Sequence, residues 1–353
     1  MNIIVKLGKF YRYAYKMGHF PTLKEIFSTD KKIFAYYGYL GDNNFGDELV
    51  FESAKQIFKP NILIPVRRFM PFSIRLFCYL FKSRFSGVII GGGTLIGPFW
   101  DQGFFLELLS LKRPVYVHGT GVHKIIDCST EWKSVFSGHV YGGVRGSLSK
   151  DNLFPIYPPA KITGDAAFAF FDRTHWGHKA NGHNNVLVNL GTHFEYDDQN
   201  SSRVELKKFI KSLIDGGYSV QFLPLHVIDT QLGVQLQAEF PEIVLLQQPD
   251  NFLSAVNIFQ NCSFAIGERL HFTVMAILTK SPFISLNYGK KHEDLLQSIE
   301  LSHAGLQPGS FSVNMLDTIF NSRATFNWGN TENIISAFKE FQIVEASDFI
   351  TKK

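Results

Sequence analysis

At 353 residues, 45% apolar and 19% charged, the chain is long enough for two domains with cores of their own, and its composition excludes general disorder. A formal charge of +4, with no recognisable nucleic-acid module and no run of about 18 apolar residues, argues against a nucleic-acid partner and against a membrane-spanning helix. The cysteines Cys78, Cys128 and Cys262 are odd in number, far apart and without a CxxC pair, so neither a disulfide framework nor a zinc site is expected; a reducing, cytoplasmic setting is.

The first residues lack an uninterrupted apolar stretch and a small-residue cleavage site, so no signal peptide is expected. Residues 1–85 carry 14 Lys/Arg against 6 Asp/Glu. Within them the stretch 67–85 mixes arginines with large apolar side chains, with no acid between. Such a segment suits peripheral contact with an anionic membrane, and it equally suits a helix packed on its own domain with a basic outer face.

Strand-like runs then alternate with helical patterns: Ile33–Tyr39, Ile62–Val66, Gly87–Ile90, Val115–His118, Val140–Val144 and Ala160–Thr163 in the first half. Asn185–Leu190, Ser219–Leu223, Ile243–Leu246, Phe264–Ile266 and Phe283–Leu286 follow in the second. The polar, Gly- and Asn-rich stretch Asp172–Asn185 divides them. The expected fold is α/β, with two Rossmann-like, doubly wound domains facing across a cleft: an N-terminal domain over 1–172 and a C-terminal domain over 173–330. A C-terminal helix over 331–353 packs back on the first.

Several strand ends carry polar motifs. Tyr36–Phe58 holds a Gly-rich turn with Gly38, Gly41 and Gly46, polar Asn43, Asn44 and Asp47, and a helix from about Asp47. It is neither a GxGxxG nor a Walker loop, and it reads as a ligand-binding turn or as a tight turn capped by Asp47. Gly91, Gly92, Gly93 and Thr94 follow the third strand candidate and let backbone line a cleft. The Val115–Lys124 stretch is a strand and Gly-rich turn with His118 and His123, each read more readily as packed or surface residues than as catalysts.

Arg145 stands at a strand end, with Ser147 placed to cap the next helix. Asp165, after Gly164, is either a cleft-facing carboxylate or a cap. Finally, Arg269 and His271 follow one apolar run and Lys291 the next, which sets a guanidinium, an imidazole and an ammonium at neighbouring strand ends. Fixed positive charge beside one titratable base suits an anionic substrate and proton transfer. The alternative is a helix-capping Arg269 and a buried His271; His292 is read as solvent-facing. No GxSxG, HExxH or metal-ligating motif is present.

In their order these pieces resemble the polysaccharide pyruvyl transferases. They are G-x-x-G-D-N-N-x-G-D-E at 38–48, GGG at 91–93, V-R-x-S-x-S at 144–149, T-G-D-x-A at 163–167, R-L-H at 269–271 and Y-x-x-K at 288–291. The resemblance runs from about Tyr36 to Leu301. It departs at Ala166, where the family often has proline, and at Glu268, where small residues are common.

The resemblance implies a glycosyltransferase-B-like fold and a donor, phosphoenolpyruvate, whose pyruvyl group is transferred to a glycan or lipid-linked oligosaccharide acceptor as a ketal. It implies no metal and no cofactor. The matching donor-site residues are Arg145, Arg269, His271 and Lys291. Gly41, Asn43, Asn44, Gly46, Asp47, Gly92, Gly93, Thr94, Asp165 and Glu268 are the further candidates for substrate contact. A nucleotide-sugar glycosyltransferase of the same architecture and a non-catalytic scaffold of a glycan-assembly complex are the competing readings.

Overall fold

The computed structural model describes residues 30–66, 82–97, 113–124, 129–174, 176–177, 184–191 and 201–351. Of the basic stretch 67–85, all but 82–85 lies outside the described residues, as do Cys78 and Cys128. The chain forms two compact units. One takes the residues up to Asp42, Val50–Ala169 and those from Ile335 on; the other takes Asn43–Leu49 and Phe170–Ile334. Residues 43–49, assigned to the N-terminal half from sequence, thus pack with the second unit. Most of the C-terminal helix is part of the first.

The first unit is built on β1 (Ile33–Tyr37), β2 (Ile62–Val66), β3 (Phe85–Ile90), β4 (Thr94–Ile96), β5 (Val115–Val122) and β6 (Val140–Val144). All pairings are parallel, in the order β2-β1-β3-β5, and both β4 and β6 pair with β5. Without the short β4, this is the flavodoxin-like doubly wound order. Its connecting helices include α1 (Phe45–Ile57), α2 (Ser129–Phe136) and α3 (Ser147–Leu153).

Successive residues of a strand point to opposite faces, and here both faces are covered. Ile33 and Ala35 join one apolar cluster with Val88, Val115 and Trp132. Phe34 and Tyr36 join another with Phe51 and Phe58 of α1 and with Ala346 and Phe349 near the C-terminus. That two-sided burial is why these strands read as continuous apolar runs.

The second unit holds β7 (Asn185–Asn189), β8 (Ser219–Phe222), β9 (Val244–Leu245), β10 (Phe264–Gly267), β11 (Phe283–Leu286) and β12 (Gly305–Leu306), all parallel, in the order β12-β11-β10-β7-β8-β9. Read from the other edge, this is the Rossmann order, and the strand order reverses between β7 and β10. Its helices include α4 (Ser201–Asp215), α5 (Val227–Glu239), α6 (Phe252–Gln260), α7 (Leu270–Leu278), α8 (Lys290–Ser298) and α9 (Val313–Asn321). In α7 every residue but His271 is buried, so the helix is apolar all round because it is covered all round. α10 (Thr331–Thr351) closes the chain.

Four expectations change in detail. Ala160–Thr163 is not a strand; only Ile162 makes an isolated bridge, to Val144. The His118–Gly121 segment is not a turn but the second half of β5, which carries on past a register shift at Gly119 to pair with β4. Gly119 sits there at φ +59° with the Ala166 backbone nitrogen 2.4 Å from where a Cβ would stand, so glycine is required. Helix α1 starts at Phe45 rather than at Asp47. Ser147 is not a cap: the N-cap of α3 is Gly146, with no side-chain cap bond.

Candidate functional site

In a doubly wound sheet the loops leaving the reversal point diverge and open a crevice at the strand ends. In the second unit that point is flanked by Asn189 at the end of β7 and by Glu268, Arg269 and His271 after β10. A carboxylate from the next loop joins them. Asp229 of α5 is fully buried. Its Oδ1 accepts from Arg269 Nε at 3.1 Å and Nη2 at 2.5 Å. Its Oδ2 accepts from the backbone N–H groups of Leu225 and His226, each at 3.1 Å, and from Asn189 Nδ2 at 3.3 Å. Asn189 Oδ1 in turn accepts from the Arg269 N–H at 3.0 Å. One buried acid thereby ties together the loops after β7, β8 and β10.

Burial works against the Arg269 charge. The hydrogen bonds and charge of Asp229, helped by Tyr288 and Glu268, outweigh it and hold the pKa above the usual guanidinium value. The guanidinium meets Asp229 side-on through Nε and Nη2. Its side chain stays 20% exposed, and its Nη1 donates to no described residue. Arg269 precedes α7 as the N-cap but makes no side-chain cap bond, so helix capping is not its role.

His271 is the second residue of α7 and half-buried. Its ring packs on Gly46: a Cβ built on Gly46 would lie 2.0 Å from His271 Nδ1 and 2.6 Å from Cγ. Gly46 therefore acts as a seat for the imidazole. The seat is itself anchored. Asn44 caps α1, its Oδ1 accepting from the Gly46 N–H at 3.1 Å while its Nδ2 donates to Asp47 Oδ2 at 2.6 Å. Asn44 rather than Asp47 is thus the cap. Phe45 donates its N–H to Leu225 O at 2.8 Å, Asn44 bridges to His226, and Gln248 Nε2 donates to Asn43 O at 3.1 Å. The Leu225–His226 backbone is the same one that Asp229 holds, so the seat of the imidazole and the clamp on the guanidinium share a support.

Lys291 lies in the first turn of α8, with Nζ 4.5 Å from the Tyr288 ring centroid. The ends of β10 and α8 are tied by His292, whose Nε2 lies 2.9 Å from Glu268 O. His292 is fully buried, contrary to its reading as solvent-facing, because its ring fills the space behind these two loops and meets Tyr288 edge-on at 5.0 Å. Glu268 is also buried, and its Oε2 accepts from the Gly191 N–H at 2.7 Å. It fixes the loop after β7.

The remaining candidates belong to the first unit. Arg145 is 2% exposed at the end of β6, with Nη1 3.5 Å from Gly93 O. Its Nη2 lies 2.5 Å from where a Gly121 Cβ would stand, and Thr94 Oγ1 lies 2.8 Å from the same point. Gly93, Thr94, Gly121 and Arg145 are thus one cluster at the ends of β4, β5 and β6. Gly92 packs on Val50, whose Cγ1 would be 2.5 Å from an added Cβ, a packing reason for that glycine. Gly41, at φ +81°, and Asn43, at φ +54°, shape the turn before α1. Asp165 is buried, and its Oδ1 accepts from the Ala167 N–H at 3.0 Å, capping the 3₁₀ turn Ala166–Phe170. His118 is a core residue of β5: burial pushes its pKa down to about 3, and Nε2 bonds Ser53 Oγ at 3.0 Å.

Sequence reasoning did not identify Asp229 or Asn189. The signal for Asn189 was present, a polar residue closing an apolar strand before Gly191; Asp229 sits inside a helical pattern and had none. Among the described residues no group of three or more His, Cys, Asp or Glu is placed to hold a metal ion, and no helix is long and apolar enough to cross a membrane.

The family model described as polysaccharide pyruvyl transferase matches residues 44–290. No curated protein matches. Among solved structures, the UDP-GlcNAc 2-epimerase from Methanocaldococcus jannaschii is similar at 12% identity and a TM-score of 0.52, covering 87% of this chain and 98% of its own. The UDP-GlcNAc 2-epimerase from Neisseria meningitidis, bound to UDP-GlcNAc, is similar at 11% identity and a TM-score of 0.52, covering 90% and 98%. At such identities the likeness is one of fold, two Rossmann-like units of the glycosyltransferase-B class.

Proposed function

The chain belongs to the polysaccharide pyruvyl transferase family, and from that premise we propose that it moves the pyruvyl group of phosphoenolpyruvate onto a sugar of a surface polysaccharide or its lipid-linked precursor. Two sugar hydroxyls become bridged by a ketal, and phosphate leaves. The observation that carries this reading is the pairing of a clamped guanidinium, Arg269, with an imidazole two residues on, seated on Gly46 at the strand-order reversal.

The chemistry asks for little more. The donor's carboxylate and phosphate are met by the open edge of Arg269, the ammonium of Lys291 and the first-turn N–H groups of α7 and α8. One sugar hydroxyl attacks the central carbon while the methylene carbon gains a proton and becomes methyl. Phosphate then departs with its bonding pair, and the second hydroxyl closes the ketal, giving up its proton. His271 takes a proton from an attacking hydroxyl and supplies one to the methylene carbon, the acid–base role open to an imidazole. The cation developing at the central carbon is offset by the substrate's own carboxylate. Every proton is moved by an acid–base group, and no redox change occurs.

A thermal-shift titration tests the donor. Saturating phosphoenolpyruvate stabilises a protein that binds it by about 2.7 kcal/mol at a hundredfold excess over Kd, which raises the melting temperature by a few degrees. A shift with UDP- or GDP-sugars and none with phosphoenolpyruvate would replace this reading by a glycosyltransferase.

A further inference from the structure

The Arg269–Asp229 pair poses a problem for an anion site: its most deeply held cation is already matched by a buried carboxylate. Asp229 accepts from the Leu225 and His226 N–H groups and from Asn189 Nδ2 in addition to Arg269. It is fully buried, so it is held in one place and does not compete with ligand for the open face. Its two oxygens occupy Nε and one edge of Nη2, which fixes the plane of the guanidinium and leaves Nη1 without a protein partner among the described residues. A guanidinium offers five N–H groups in a rigid fork, so fixing one edge aims the other.

We propose that Asp229 is the positioning residue of the donor site: it holds Arg269 side-on so that the Nη1 edge meets an anionic group of the donor, and its charge leaves that group's recognition to direction rather than to net charge. The proposal rests on the phosphoenolpyruvate reading for the name of the donor, but not for the geometry. Pre-orientation removes the cost of ordering a long side chain when the anion arrives. The same carboxylate anchors the Leu225–His226 backbone on which Phe45 docks, so it also steadies the loop that seats His271.

The sign of one substitution separates this role from its rivals. Asp229→Asn removes a negative charge beside an anion site. If Asp229 acted only through its field, the variant would bind phosphoenolpyruvate more tightly; a positioning role makes it bind about tenfold more weakly. The cycle with Arg269→Gln completes the test. Asp229→Asn in the Arg269→Gln background changes the Kd less than twofold if Asp229 works through Arg269. A repeated tenfold loss there would assign it a merely structural role and overturn the proposal. The milder Asp229→Glu, which keeps the charge and displaces the clamp, serves if the Asn variant does not fold, and a Kd equal to wild type would overturn the proposal. Inorganic phosphate is titrated in parallel. If wild type binds phosphate but not phosphoenolpyruvate, the donor reading fails and the cycle is read on phosphate. If it binds neither, Arg269 has no anion to meet and the proposal falls.

Discussion

Gly46→Ala isolates the seat of the imidazole from everything else at the site. Gly46 lies in the first turn of α1 and is not among the residues with positive φ, so its backbone suits alanine. Helix propensity alone would favour the substitution by about 1 kcal/mol. The side chain is the obstacle: the new methyl would stand 2.0 Å from His271 Nδ1, 2.6 Å from Cγ and 2.9 Å from Cε1. Cγ lies on the axis about which the ring turns, so ring rotation alone does not relieve the overlap. The ring as a whole must retreat by roughly 1.5 Å to reach ordinary contact. A displacement of about 1 Å in a reacting group costs on the order of 10²-fold in rate, or about 2.7 kcal/mol of activation free energy. Phosphate release from phosphoenolpyruvate with a panel of glycan acceptors reads kcat, and a thermal melt reads the fold. The expected result is a loss of about a hundredfold in kcat with a melting temperature within a few degrees of wild type. Wild-type kcat in Gly46→Ala would refute the idea that the ring's place on Gly46 matters to the chemistry.

Lys291→Ala removes a half-exposed ammonium; donor Kd rises about tenfold with no change in melting temperature, and unchanged affinity by calorimetry would remove Lys291 from the site. Arg269→Gln weakens donor binding too, but it also lowers the melting temperature, because Asp229 is left buried without its counterion at a cost of about 3 kcal/mol; an unaltered melt would contradict that ion pair. His118 governs part of the acid limb of stability. Burial holds its folded pKa at about 3, against an unfolded value of about 6.5, so between those values the unfolded chain binds more protons and stability falls as pH drops, by up to about 1.4 kcal/mol per pH unit. His118→Asn should flatten the fall of melting temperature between pH 6.5 and 4, and an identical slope would show that the histidine is not held neutral.

The strands were legible because sheets buried on both faces demand continuous apolar runs, as in Ile33–Tyr37 and Phe264–Gly267. Lengths were less so: β5 runs four residues further than its apolar portion because Gly119 takes the register shift against the Asp165–Ala166 backbone and Gly121 pairs with Thr94 while admitting the Arg145 guanidinium. At the candidate site, residue types that carry chemistry on their face, Arg269, His271 and Lys291, stood out at strand ends. What holds them did not. Asp229 is a helix residue, separated from Arg269 by two strands and a helix in the chain, and only the fold brings them to 2.5 Å. Gly46 read as a ligand-approach glycine, and its tie to an imidazole 225 residues away leaves no local pattern. His292 looked exposed beside Lys291 because charge neighbours suggest solvent; a helix turn instead aims adjacent residues in different directions, one outward and one into the core.

The proposed reaction transfers a pyruvyl group with His271 as the proton carrier. Its most direct measurement is mass analysis of glycan or lipid-linked acceptors incubated with phosphoenolpyruvate, for wild type and for His271→Ala, with phosphate counted in the same tubes. Wild type is expected to yield an acceptor carrying one pyruvate ketal for each phosphate released, and a folded His271→Ala variant neither product. Ketal formation undiminished in His271→Ala, or wild-type protein that leaves phosphoenolpyruvate intact while consuming a nucleotide sugar, would contradict it.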